Sequence, residues 1–403
     1  MGAKSFVSGR VALLTALVGA SFNVHSAVQP QPYVTDSGVE LEPWLKVTGI
    51  HDDNLLRSQT NKLSTSGTFI EPGVKVRLNP GSAQFNLGYR LNRGDYYQSK
   101  VDNFTDHFGD VGLQWEITRR NRLSLVYDFS KRHEGRGYGF SEGRGELFDK
   151  PLTYDRNNAE AIYGFGGVDA AGRLELSVRY RDKKYTNFEE VTQFQNLKEM
   201  RYRGTFFYQM APKTDLLFEI IRNDSRYDVQ RPDFLSRDND DYFGYVGASM
   251  TSDSAQVVGD IRLGYQNKRF KQGNRDKFND FSWDVGLTWN LKTYSRIELS
   301  TSQRAKNPNQ ETGNYVKQTL GRVAWRHAWV ERFSSTLEYY HANDDYNGIV
   351  RNDKLNQYGV SFEYDMRRWL SFAVGYVHGD KTSNAEGIGF KQNRYTLSVH
   401  VTL

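Results

Sequence analysis

From residue 39 to the C-terminus, stretches of about ten residues alternate apolar and polar side chains and then break at turn residues. Side chains of an extended strand point alternately to its two faces, so this period of two means one face against something apolar and one face in water. Ala83, Phe85, Leu87, Tyr89 and Leu91 form one such stripe, and Val111, Leu113, Trp115 and Ile117 another. Leu174, Leu176, Val178 and Tyr180 interleave with Glu175, Ser177, Arg179 and Arg181, and Phe281, Trp283, Val285, Leu287 and Trp289 with Ser282, Asp284, Gly286 and Thr288. The face is ambiguous over Leu41–Ile50, Leu216–Ile221, Tyr315–Trp325 and Phe333–Tyr340.

The breaks alternate in length. Short turns are expected at 79–82, 118–121, 169–172, 211–214, 252–254, 292–295, 328–332 and 367–369. Between them lie longer polar stretches, the largest over 131–153. Short turns at one end and long loops at the other are the layout of an outer-membrane barrel. The pattern predicts an all-β transmembrane antiparallel up-and-down β-barrel of about eighteen strands, with short periplasmic turns and long extracellular loops. The last strand runs to the end, with Tyr395, Leu397, Val399, Val401 and Leu403 on one face. Such a strand is what the barrel-assembly machinery would recognise.

Composition agrees. Hydrophobic residues are only 38%, yet aromatics reach 14%, with 25 Tyr and 24 Phe. Mean hydropathy is −0.70. Disordered chains are poor in aromatics. A barrel with a polar interior and aromatic girdles needs few aliphatics. A soluble sandwich would also alternate. It would not account together for the terminal strand, the one-sided loops and the N-terminus, where Lys4 and Arg10 precede a short apolar run, Val11–Ala20. That run reads as a secretory signal. The expected organisation is a signal peptide over 1–27, cut near Ala27 with Ser26 and Ala20 as alternatives, a short periplasmic leader over 28–38 and the barrel over 39–403. No plug-sized domain is expected before the barrel. The formal charge of +5 is small and reads as dispersed, with no basic run suited to nucleic acid. The absence of Cys excludes disulfides and thiolate sites.

One ordered set of short motifs runs along the chain: His51-Asp52-Asp53-Asn54-Leu55-Leu56, Thr68-Phe69-Ile70-Glu71-Pro72-Gly73-Val74, Leu87-Gly88-Tyr89, Asp95-Tyr96-Tyr97, Phe104-Thr105-Asp106-His107 and Lys131-Arg132-His133. This order resembles the putative beta-barrel porin-2 family, outer-membrane barrels associated with exopolysaccharide biosynthesis loci. His51 stands where that family usually has Tyr. The resemblance implies passage of an extracellular polysaccharide and transfers no defined site residues.

Gly139-Phe140-Ser141-Glu142-Gly143 matches a nucleophile-elbow string, but in a Gly-rich stretch without the strand and helix an elbow needs. His341 to Asp345 reads as a loop mouth. Asp52-Asp53-Asn54, Asp238 to Asp241 and Asn343 to Asp345 offer oxygens without calcium-loop spacing, and read as solvated loops or contacts with cation-bridged lipopolysaccharide. No catalytic residue, metal or cofactor is expected. Gly135-Arg136-Gly137 and Gly143-Arg144-Gly145 give the largest loop flexibility and positive charge. It either folds inward as a constriction or is a mobile surface loop, the commoner arrangement.

The polar stripes nominate Arg90, Glu116, Arg179, Arg181, Arg201, Arg203, Arg262 and Glu363 as lumen-lining. The functional expectation is an export pore for exopolysaccharide, aided by a periplasmic partner and set among outer-membrane lipid and lipopolysaccharide. A diffusive porin for small hydrophilic solutes is the alternative, and a barrel enzyme or adhesin a third.

Overall fold

The structure is a computed structural model that describes residues 31–167, 170–232, 234–250, 256–272, 275–310 and 313–403. The signal peptide, the first residues of the leader and the turn at 252–254 lie outside the described residues.

A two-residue strand, β1 (Tyr33–Val34), lies against the start of β2 (Glu40–Asp52). There follow β3 (Thr65–Leu78), β4 (Ala83–Tyr96), β5 (Phe104–Thr118), β6 (Asn121–Glu134), β7 (Leu152–Phe165), β8 (Gly172–Tyr185) and β9 (Leu197–Ala211). Then come β10 (Thr214–Tyr227), β11 (Asn239–Met250), β12 (Val257–Phe270), β13 (Phe278–Lys292) and β14 (Ser295–Lys306). The last are β15 (Val316–Val330), β16 (Phe333–Tyr346), β17 (Asn352–Arg367), β18 (Leu370–Ser383) and β19 (Phe390–Thr402). Each strand from β2 on pairs antiparallel with the next, and β19 returns to β2, from Arg394 opposite Asp52 to Thr402 opposite Trp44. The result is a closed eighteen-stranded barrel. Closure matters because an unpaired backbone group in hydrocarbon costs several kcal/mol.

The outer face has three levels. Leu87, Val111, Leu176, Val178, Ile220, Val246, Leu263, Leu337 and Leu397 form an exposed apolar band. At the turn end it meets Trp115, Trp289, Trp329 and Trp369, and at the loop end Tyr89, Tyr127, Tyr202, Tyr265, Tyr358 and Tyr395, all exposed. Phe281 and Trp289 are eight residues apart on β13, roughly 26 Å of strand and about 20 Å of height at a barrel's tilt, most of an apolar band about 25 Å tall. The Tyr level is cross-linked: Tyr127, Tyr339 and Tyr376 donate to Asn157, Asn356 and Asn393 on the next strands at 2.8–2.9 Å. Amphipathic rings at two interfaces are what a bilayer favours.

The ambiguous stretches resolve through the register. On β10, Phe218 and Ile220 face out, while Leu217, Glu219 and Ile221 are buried inside. On β2, Trp44 turns inward over Gly73, where a Cβ would lie 2.3 Å from the indole. Five strand pairs shift register beside a short turn, at residues 116–118, 214–215, 290–292, 328–330 and 365–367. Bulges there raise local twist as the chain reverses.

Candidate functional site: the lumen and its constriction

A cavity of about 1900 Å³ occupies the lumen along the β4 to β15 arc. It reaches Asn79, Gly81 and Lys213 at the turn end and Gly139, Asn307 and Asn309 at the loop end. Its wall holds fourteen Lys and Arg against nine Asp and Glu, with Tyr154, Phe207, Phe243, Tyr245 and Trp283 among them. The period-two alternation of the strands places these side chains inward.

Six of the nominated residues lie on this wall: Glu116, Arg179, Arg181, Arg201, Arg203 and Arg262. Arg179 and Arg181 share Glu199, at 3.5 and 3.2 Å. Arg203 meets Glu175 at 3.0 Å, and Arg262 lies between Glu219 and Asp260, each at 3.2 Å. Arg90, on β4, and Glu363, on β17, lie outside the cavity lining. Arg90 bonds Glu71 at 2.7 Å with its guanidinium 3.9 Å above the Phe108 ring. Glu363 is 5% exposed and 3.3 Å from Arg326. The excess positive charge is not dispersed, as the sequence suggested. It gathers on β6 to β9.

The large loop between β6 and β7 folds inward rather than standing on the surface. Phe140 and Phe148 are buried against Leu152, Tyr185 and Phe188. Its tip then crosses the loop end of the lumen to the far arc. Glu142 bonds Arg351 at 2.7 Å, ion-pairs with Lys381, and its carbonyl accepts from Gln310 at 2.8 Å. Arg394 on β19 donates to the Tyr138 hydroxyl at 3.0 Å, and the Arg57 guanidinium lies 3.7 Å over that ring. Arg136 is anchored at 2.6 Å to Asp102, whose hydrogen bond raises the guanidinium above its ordinary pKa. Burial works to lower Arg351, yet Asp353, Tyr346 and Glu142 outweigh it and hold it well above its ordinary value. The glycines permit the approach: Gly137 has φ +80°, and a Cβ there would lie 1.8 Å from the Leu56 carbonyl oxygen. The spacing of glycines marked flexibility, but the cations that receive Glu142 come from strands some 200 residues on, which no local pattern reveals.

Ser141 is fully buried in this loop. Its hydroxyl donates to the Tyr138 carbonyl at 2.9 Å and accepts from the Gly137 amide at 3.0 Å, so the nucleophile-like string is a tight structural turn. The acidic clusters also prove structural rather than solvated, except for Asp345, which is exposed. Asp52, wholly buried, accepts from Arg394 at 2.9 Å, Gln392 at 2.8 Å and the Asn54 amide at 2.9 Å. Asn54 donates to Ser58 and Lys391 carbonyls, and Asp53 accepts from Asn393. The Asp-Asp-Asn motif thus fastens β2 to β19 where the barrel closes. Asp240 and Asp241 are engaged by Lys271 and Lys268, and Asp344 by Lys306. Among the described residues no three His, Cys, Asp or Glu side chains form a metal-binding group.

The FrpB iron transporter from Neisseria meningitidis (F3-3 variant) superposes with a TM-score of 0.50 at 11% identity, covering 84% of this chain and 62% of that one. The chain therefore spans less than two thirds of that structure's length. A BenF-like porin from Pseudomonas fluorescens Pf-5 gives 0.49 at 8% identity, and the outer membrane protein OpdK from Pseudomonas aeruginosa 0.48 at 10%, each covering 90% of this chain and 99% of the other. At such identities the likeness concerns the fold alone. Among curated proteins, none matches this sequence. The model of the putative beta-barrel porin 2 family matches residues 40–403, and with the closed barrel and its lipid-suited belt it establishes that the chain belongs to that family of porin-like outer-membrane barrels.

Proposed function

We propose that the barrel is an outer-membrane pore through which an exopolysaccharide leaves the cell. The observation that carries this reading is the lumen: one polar cavity reaching from the turn end to the loop end, walled by charges of both signs and by aromatic rings. A wall of mixed charge keeps a lumen hydrated, and conduction needs binding weak enough to release. Aromatic rings such as Tyr245 and Trp283 give sugar faces an apolar surface with a polar tip. On this reading the chain is not an enzyme and needs no cofactor. A periplasmic partner delivers the polymer, the barrel-assembly machinery inserts the chain by its last strand, and the loops meet lipopolysaccharide.

Diffusion of small hydrophilic solutes is the second reading, and the inward loop over 135–151 favours it by narrowing the loop end. Deleting the gene and measuring surface against periplasmic polysaccharide separates the two. Export predicts less polymer outside and more retained in the periplasm. Unchanged polymer, with open-channel conductance in the purified protein, supports the diffusive porin instead.

A further inference from the structure

The charges of the lumen are unevenly divided. On β14 to β17 they balance: Arg322 lies between Glu338 at 2.6 Å and Glu298 at 3.4 Å, and Arg326 meets Glu363. On β6 to β9 the inward face carries Arg132, Arg156, Arg173, Arg179, Arg181, Lys183, Arg201 and Arg203, with Asp128, Glu134, Glu160, Glu175 and Glu199 as the carboxylates between them. Within this wall the register twice sets cations directly opposite, Arg156 against Lys183 and Arg179 against Arg201, as it also sets Arg296 against Arg326 between β14 and β15. Such pairs destabilise a sheet, so folding gains nothing from them.

The cluster is also under-compensated. Glu199 is shared by two arginines. Lys183 reaches Glu134 only at 3.8 Å and Arg156 reaches Asp128 only at 3.9 Å. Among the described residues, Arg201 has no carboxylate oxygen within ion-pair distance. The Nε atoms of Arg132, Arg156 and Arg179 have no acceptor among the described residues. The eight cations all line the cavity. From Arg173 to Lys183 the column follows about 33 Å of strand, so it forms a track along the pore rather than a single pocket.

We infer that the β6 to β9 wall is a binding track for a carboxylate-bearing, acidic polysaccharide. This rests on the export reading and names its substrate class. Guanidinium forks match carboxylates in a planar, two-bond geometry. A charged wall in a narrow lumen concentrates ligands of opposite sign. Carboxylates recurring along a polymer would pass from one arginine to the next, while the shared glutamates keep each contact exchangeable.

The mature chain in planar bilayers tests this. The expected results are anion selectivity in a KCl gradient and current block by oligogalacturonate, with maltodextrin of equal length blocking far less. The double variant Arg179→Gln and Arg201→Gln, checked for folding by heat-modifiable gel migration, should shift the reversal potential toward zero. It should also weaken the oligogalacturonate block roughly tenfold or more. Arg181→Gln, which leaves the opposed pair intact, serves if the double variant does not fold and should weaken the block in the same sense. Cation selectivity, equal block by the neutral oligomer, or a block unmoved by these variants overturns the track while leaving a pore. No current from any folded version overturns the pore reading itself.

Discussion

Glu142 and Arg351 lie 209 residues apart in sequence and 2.7 Å apart in space, although the strands beside their loops, β6 and β17, stand on opposite sides of the barrel. Their pairing turns the loop between β6 and β7 into a bar across one end of the barrel. Glu142→Gln removes its ion pairs with Arg351 and Lys381, while Arg351 keeps Asp353. Breaking a buried pair typically costs about 3–5 kcal/mol, less where lumen water screens it. The expected outcome is a larger open-channel conductance or longer open times in planar bilayers, with the barrel still resistant to SDS before heating.

Asp52 makes a different prediction. It closes the ring at the β2–β19 seam, and Asp52→Ala leaves the half-buried guanidinium of Arg394 without its carboxylate. A loss of about 3–5 kcal/mol is expected, read as earlier unfolding in a heat-modifiable gel series. Asp53→Ala, whose carboxylate bonds only Asn393 among the described residues, should cost less.

Ser141→Ala separates structure from chemistry. The buried hydroxyl accepts from one amide and donates to one carbonyl. Its loss should cost about 1–3 kcal/mol of loop stability, seen as noisier channel current. Ester hydrolysis by the purified barrel should be the same with and without the hydroxyl.

The two faces of the wall can be told apart by charge. Ile220 is 72% exposed at the middle of β10, whereas Gln114 lines the cavity. Ile220→Arg should lower folding stability in lipid vesicles by about 2–4 kcal/mol, the midplane cost for a lipid-facing cation. Gln114→Arg should cost little. Urea titration of both variants in the same vesicles gives the comparison.

Much of this was legible in the sequence because a barrel writes itself locally. Alternation along each strand fixed the inward facing of Arg179, Arg203 and Arg262, and the lengths of the breaks fixed the two ends. The ambiguity at 216–221 has a physical cause: Leu217 and Ile221 are apolar but face inward, so both stripes of β10 are greasy. What stayed hidden depends on the register between strands. That Arg179 opposes Arg201, that Glu142 reaches Lys381, and that Asp52 belongs to Arg394 are all relations across loops or across the barrel's closure. Composition reported the small net charge truthfully, yet it could not show that the excess collects on one wall.

The chain contains no cysteine, so single introduced thiols can report directly on which face meets water. Ile220→Cys and Gln114→Cys, each in the mature barrel reconstituted in lipid vesicles, would be treated with a charged, membrane-impermeant thiol reagent. A lipid-clad barrel around an aqueous lumen predicts rapid labelling at 114 and protection at 220 until detergent and denaturant are added. Equal labelling at both positions, or labelling at 220 with protection at 114, would contradict it.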